Sequence, residues 1–72
     1  MKKKKIKTLK LARKREDLTQ EEVAKKLGVT RMTVTYWELG VASPLLKNLR
    51  KVVEVYNLSM EELMEYLKEI EE

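Results

Sequence analysis

The chain has 72 residues, with 16 Lys and Arg against 12 Asp and Glu for a formal charge of +4, and 43% of it is apolar. A chain this short buries about 60% of the surface its unfolded form exposes, which leaves one core and no second lobe to frame a large substrate cleft. It contains no Cys and no His, which excludes disulfides, thiolate metal sites, cysteine nucleophiles and the usual proton shuttle.

Helical periodicity runs through the chain, and no segment alternates as a strand does. Ile6, Leu9, Ala12 and Arg13 share one face of a first helix spanning about 5–16. Thr19 and Glu22 form a capping box, in which the Thr19 hydroxyl takes the Glu22 amide and the Glu22 carboxylate reaches back. That second helix stops at Leu27, because Gly28 enters the left-handed region freely. Thr30 caps a third helix of about 31–38, and Gly40 lies beyond its end. Ser43 followed by Pro44 predicts the start of a fourth helix, since a proline at the first helical position has no amide to leave unpaired. This helix carries Leu45, Leu46, Leu49, Val52, Val53 and Tyr56 and ends at Asn57. Ser59 with Glu62 repeats the capping box and opens a fifth helix. Its inward face is expected to be Met60, Leu63, Met64, Leu67 and Ile70. Glu61, Glu62, Glu65, Glu69, Glu71 and Glu72 are expected on its solvated face. The pattern predicts an all-α fold of five short helices, with residues 6–72 as one domain.

Charge is spread unevenly. Residues 1–15 carry nine of the basic groups and no acid, whereas from Glu54 onward seven Glu oppose the single Lys68. The basic end attracts a polyanion and the acidic end does not. Lys2, Lys3, Lys4 and Lys5 make residues 1–5 a flexible basic arm, either a solvated tail or one that touches nucleic acid or phosphate. The longest stretch free of charged or polar side chains is residues 39–42, far below the roughly 20 needed to cross a bilayer. No membrane contact and a cytoplasmic location are expected.

The segment from Gln20 to Leu39 is the most informative. Two helices joined by a turn containing Gly cross at about 90 to 120 degrees, the unit used by helix-turn-helix DNA readers. Ala24 permits the close crossing, and Val23, Leu27, Val34 and Trp37 fill the angle. At about 100 degrees per residue, Val34, Trp37 and Glu38 point to the core, and Met32, Thr35, Tyr36 and Leu39 to the opposite face. That face is uncharged and narrow enough for a major groove, with Arg31 on its flank near the helix start. An inward Glu38 needs a partner, because a buried charge without one is too costly. Arg13, four residues after Leu9 on the inward side of the first helix, is the natural one.

These residues resemble the Cro/Xre family of helix-turn-helix regulators, which includes the phage lambda and 434 repressors. The resemblance covers about Leu9 to Leu63 and rests on residues at unshifted spacing. They are Arg13, the run from Leu18 through Ala24, the run from Leu27 through Thr30, then Val34, Glu38, Gly40, Pro44, Val52, Tyr56, Ser59 and Leu63. It implies a five-helix, lambda-repressor-like domain with the helix-turn-helix at helices two and three. The implied function is a homodimeric transcription regulator, a repressor by analogy, that binds double-stranded DNA at a palindromic operator. It also implies a buried salt bridge between Arg13 and Glu38. Arg31, Met32 and Tyr36 then occupy base-contacting positions with Thr35 beside them. Gln20 holds a phosphate with Thr19 next to it, and Thr30, Ser43 and Lys47 meet the DNA backbone. Met32 departs from the polar residue common at its position and offers only apolar contact, as to a thymine methyl.

No enzyme is expected: Asp17 is the only Asp, and no Gly-rich phosphate loop, metal site or cofactor site is present in the sequence. The competing reading is an antitoxin-like or other protein-binding helical module. The apolar length of helix five bears on it, because Leu67 and Ile70 at its far end could bury against a second copy or another protein.

Overall fold

The computed structural model describes residues 6–71; the basic arm at residues 1–5 and Glu72 lie outside the described residues. Among those residues there are five helices and no strand: α1 (Thr8–Arg15), α2 (Gln20–Leu27), α3 (Arg31–Leu39), α4 (Leu46–Tyr56) and α5 (Met60–Ile70). The all-α expectation therefore stands. Leu9, Val23, Val34, Val52, Tyr56 and Tyr66 are fully buried and draw one side chain or more from every helix into a single core. Each such aliphatic side chain contributes about 1.5 to 3 kcal/mol by leaving water.

Local chemistry sets most boundaries. Both capping boxes form: the Thr19 hydroxyl accepts from the Glu22 amide at 3.0 Å, and the Ser59 hydroxyl from the Glu62 amide at 3.1 Å. α2 ends at Gly28 with φ +73°, and α4 ends at Asn57 with φ +54°. α3 ends at Gly40 with φ +83°, where a Cβ would approach Ile6 to 2.5 Å. That position therefore needs glycine for space as well as for φ.

Three expectations change. α1 begins at Thr8 and ends at Arg15, inside the expected span of 5–16. α4 begins at Leu46, two residues later than Ser43 and Pro44 suggest, and Leu45 at its N-cap is extended with no side-chain cap. The φ that proline fixes suits an extended connection as well as a first helical turn. Leu45 and Leu46 consequently stay exposed.

The largest change is on α5, where Tyr66 is fully buried, Leu63 and Ile70 are half-buried, and Met60 and Met64 are exposed. An aromatic ring buries more area than a thioether and takes the inward position. Glu69, expected in solvent, is buried because it caps another helix. Its Oε1 accepts the Lys7 and Thr8 amides at 3.3 and 3.2 Å, and its Oε2 accepts the Thr8 hydroxyl at 2.7 Å. A carboxylate at a helix N-terminus satisfies orphan amides and complements the helix dipole.

α5 lies along α1. At the other end of α1, the Arg15 guanidinium donates to Glu62 and to the Tyr56 and Asn57 carbonyls, the last at 2.8 Å. The basic first helix and the acidic last helix, far apart in sequence, are neighbours.

Candidate nucleic-acid interface

α3 is fixed in orientation by what it buries. Val34, Trp37 and Glu38 face the core, while Met32 and Tyr36 are 59% and 42% exposed, and Leu39 is exposed beside them. Arg31 is exposed at the first position of the helix and Thr35 is half-buried. The Gly28 turn brings α3 across α2, the helix it packs against most extensively. Thr30 caps α3 by accepting the Thr33 amide at 3.2 Å. The outcome is a short helix with an outward stripe of mixed polarity and one guanidinium at its leading end.

Beneath the stripe lies a polar network centred on Glu38. Arg13 donates through Nε to Glu38 Oε2 at 2.8 Å and through Nη2 to Oε1 at 3.0 Å. Its Nη1 donates to the Leu18 carbonyl at 3.0 Å, tying α1 to the connection ahead of α2. Gln20 Nε2 donates to Glu38 Oε1 at 3.0 Å, and the Tyr56 hydroxyl to Oε2 at 2.9 Å. The Thr35 hydroxyl donates to Gln20 Oε1 at 2.9 Å. Burial by itself would push the Glu38 carboxyl up, but hydrogen bonds from Arg13, Gln20 and Tyr56 with the Arg13 charge hold it below the ordinary carboxylate value. Burial, then the facing Glu38 charge, pushes the Tyr56 phenol well above its ordinary value. The hydrogen bond to Glu38 raises Arg13 in turn.

The sequence-predicted contact residues fall into groups. Thr19, Gln20 and Arg31 line one shallow surface depression with Arg13, Leu18 and Glu21. Its rim holds the N-terminus of α2, where backbone amides favour an anion. The Thr19 hydroxyl accepts the Glu22 amide and keeps its proton free to donate outward. Gln20 keeps one of its two N–H groups beyond the bond to Glu38. Glu21 and Glu22 in the same turn oppose an anion there. Ser43 is exposed in the connection before α4, and Lys47 is exposed in the first turn of α4. On α5, Leu67 is 37% exposed beside Met60 and Met64, whereas Ile70 packs against the core.

Two partners of the network are not legible from helical periodicity. Tyr56 and Gln20 each lie 18 positions from Glu38, on different helices, and periodicity orders positions by burial without pairing them. The one available signal is that a buried tyrosine hydroxyl usually finds a partner, a rule that Tyr56 follows and the buried Tyr66 hydroxyl, with no partner among the described residues, does not. Among the described residues, no group of acidic side chains is arranged to hold a metal ion, and no helix is long and apolar enough to cross a membrane.

A family profile described as Helix-turn-helix matches residues 9–63. An uncharacterised HTH-type transcriptional regulator of Methanocaldococcus jannaschii is 40% identical over 81% of this chain and 88% of its own length. A second such regulator, from Archaeoglobus fulgidus, is 44% identical over 64% of this chain and 66% of its own length. The cryptic phage CTXphi transcriptional repressor RstR of Vibrio cholerae is 38% identical over 83% of this chain and 51% of its own length. The chain thus spans about two thirds of the Archaeoglobus relative and about half of RstR. No solved structure gives a significant match.

Proposed function

The chain belongs to the helix-turn-helix family of Cro/Xre-like DNA-binding transcription regulators, and from that premise we propose that it represses transcription as a homodimer on a palindromic operator. One observation carries this reading. α3 buries Val34, Trp37 and Glu38 and leaves Arg31, Met32 and Tyr36 outward beside a left-handed Gly28 turn. A helix so presented fits the major groove, with its N-terminal half toward the base edges. Arg31 makes a bidentate contact to guanine O6 and N7, Met32 packs on a thymine methyl, and Thr35 and Tyr36 complete the reading set. Thr19, Gln20, Thr30, Ser43 and Lys47 position the domain on phosphates, which supplies affinity without sequence preference. Residues 6–72 act as one domain, and the lysines of residues 1–5 add to the attraction for the polyanion.

Selection of genomic fragments on the purified full chain tests the reading. It should enrich a short inverted repeat whose half-sites lie about one helical turn apart. Arg31→Ala should relax preference at one base pair per half-site, at a cost of about 1 to 3 kcal/mol. Failure to enrich any site would remove the DNA reading. It would favour a protein partner at the exposed stripe of Met60, Met64 and Leu67.

A further inference from the structure

The hydrogen bonds under α3 run in one direction, and that direction reaches the reading face. The Glu38 carboxylate lies against the Arg13 guanidinium and accepts four hydrogen bonds, two on each oxygen. A carboxylate ion only accepts. The Gln20 amide must therefore turn its NH2 toward Glu38, which leaves its carbonyl oxygen toward Thr35. A carbonyl also only accepts, so the single hydroxyl proton of Thr35 is committed inward. What remains of Thr35 for an outside partner is a pair of acceptor lone pairs and a methyl group.

We propose that Thr35 reads DNA solely as a hydrogen-bond acceptor, its polarity fixed by Gln20 and Glu38 from beneath. This rests on the DNA-binding reading given above. In the major groove, adenine N6 and cytosine N4 are the donors, while guanine O6 and N7 and thymine O4 are acceptors. At the position Thr35 meets, the operator strand facing it carries adenine or cytosine. An oxygen or ring nitrogen presented there would meet lone pair against lone pair. Gln20 is then a positioning residue for specificity in addition to its place near a phosphate, and Glu38 specifies base choice without touching DNA.

The test has two arms. On the free full-length protein, NMR should show the Thr35 hydroxyl proton in slow exchange and the Gln20 side-chain amide shifted downfield. A Thr35 hydroxyl exchanging at the solvent rate overturns the proposal whether or not DNA is bound. On the selected operator, every position is replaced by each of the four base pairs and binding is measured for wild type, Thr35→Ser, Thr35→Val and Gln20→Leu. Wild type and Thr35→Ser should favour adenine or cytosine at one position per half-site by about five- to tenfold, the size of one hydrogen bond. Thr35→Val should lose that preference. Gln20→Leu, which frees the hydroxyl to donate, should lose it too while weakening binding to all sequences alike. A wild-type preference for guanine or thymine at the position that responds to Thr35→Val overturns the proposal. So does a preference that survives Gln20→Leu, or no position that responds to Thr35→Val. Absence of any selected operator overturns the DNA-binding reading itself, and the hydroxyl measurement still reports on the wiring separately.

Discussion

Removing the Glu38 side chain strips Arg13, Gln20 and Tyr56 of a shared acceptor and leaves the Arg13 side chain, only 12% exposed, without its counter-charge. Loss of one partner from a buried ion pair costs about 3 to 5 kcal/mol, most of it the penalty on the charge left behind. For a domain of this size each kcal/mol lowers Tm by about 4 to 8 °C. Glu38→Ala and Arg13→Ala should each lower Tm steeply in thermal unfolding, and unchanged stability of both would show that the pair contributes nothing. The lowered carboxyl of Glu38 adds a pH dependence of defined sign. Its stabilisation is complete above the unfolded value near 4.5 and disappears as pH falls through the lower folded value. Wild type should therefore lose Tm below about pH 4.5 more steeply than Glu38→Gln. Arg13 and Glu38 could be paired from sequence because each sits on the inward side of its own helix. Thr35 could not be assigned its hydrogen-bonding polarity, which depends on an amide from a neighbouring helix.

Among the helices, α2 and α3 were the most legible, because capping box, glycine turn and apolar spacing all agree over residues 19–40. α4 and α5 were less so. Ser43 and Pro44 carry a helix-start signal whose fixed φ is equally compatible with an extended entry. On α5 an apolar count favours the methionines, whereas packing favours the larger ring of Tyr66. Glu69 looked solvated because a carboxylate that caps a distant helix has no local sequence mark. Replacing it tests its role: Glu69→Ala should destabilise by about 1 to 2 kcal/mol, the cost of a lost helix N-cap. Amide exchange should quicken first at Thr8 and in the last turn of α5. An effect no larger than that of Glu65→Ala, at an exposed position on the same helix, would assign the capping bonds no energetic weight.

At the scale of the whole molecule, the net charge of +4 says little about where the protein meets a polyanion. Residues 16–60 hold six basic and six acidic groups, so the central helices carry no excess charge. α1 and α5 set basic against acidic side chains along their contact, as in the bond from Arg15 to Glu62. On the proposed DNA-binding reading, attraction to the polyanion depends on exposed positions such as Arg31 and Lys47 more than on a broad field. The proposed homodimer would use a different face. Met60, Met64 and Leu67 make an apolar stripe on α5, while Ile70 already serves the core. Leu67→Glu, chosen because it leaves the core intact, should convert a sedimenting dimer to monomer with little change in Tm. A wild-type chain that sediments as a monomer at high concentration, or a variant with unchanged oligomeric state, would exclude dimerisation through this stripe.

The bonds from Lys7 and Thr8 to Glu69 also bear on how the domain opens. The Thr8 contact joins residues 61 positions apart, whereas α2 and α3 meet through neighbours in the chain. Closing so long a loop is entropically late, and a contact made last in folding is among the first to be released in partial unfolding. The start of α1 and the end of α5, joined through Glu69, are therefore expected to part before the crossing of α2 and α3 does. Amide exchange should accordingly run faster at the two ends of this seam than at the crossing of α2 and α3, and equal rates at both would remove the distinction.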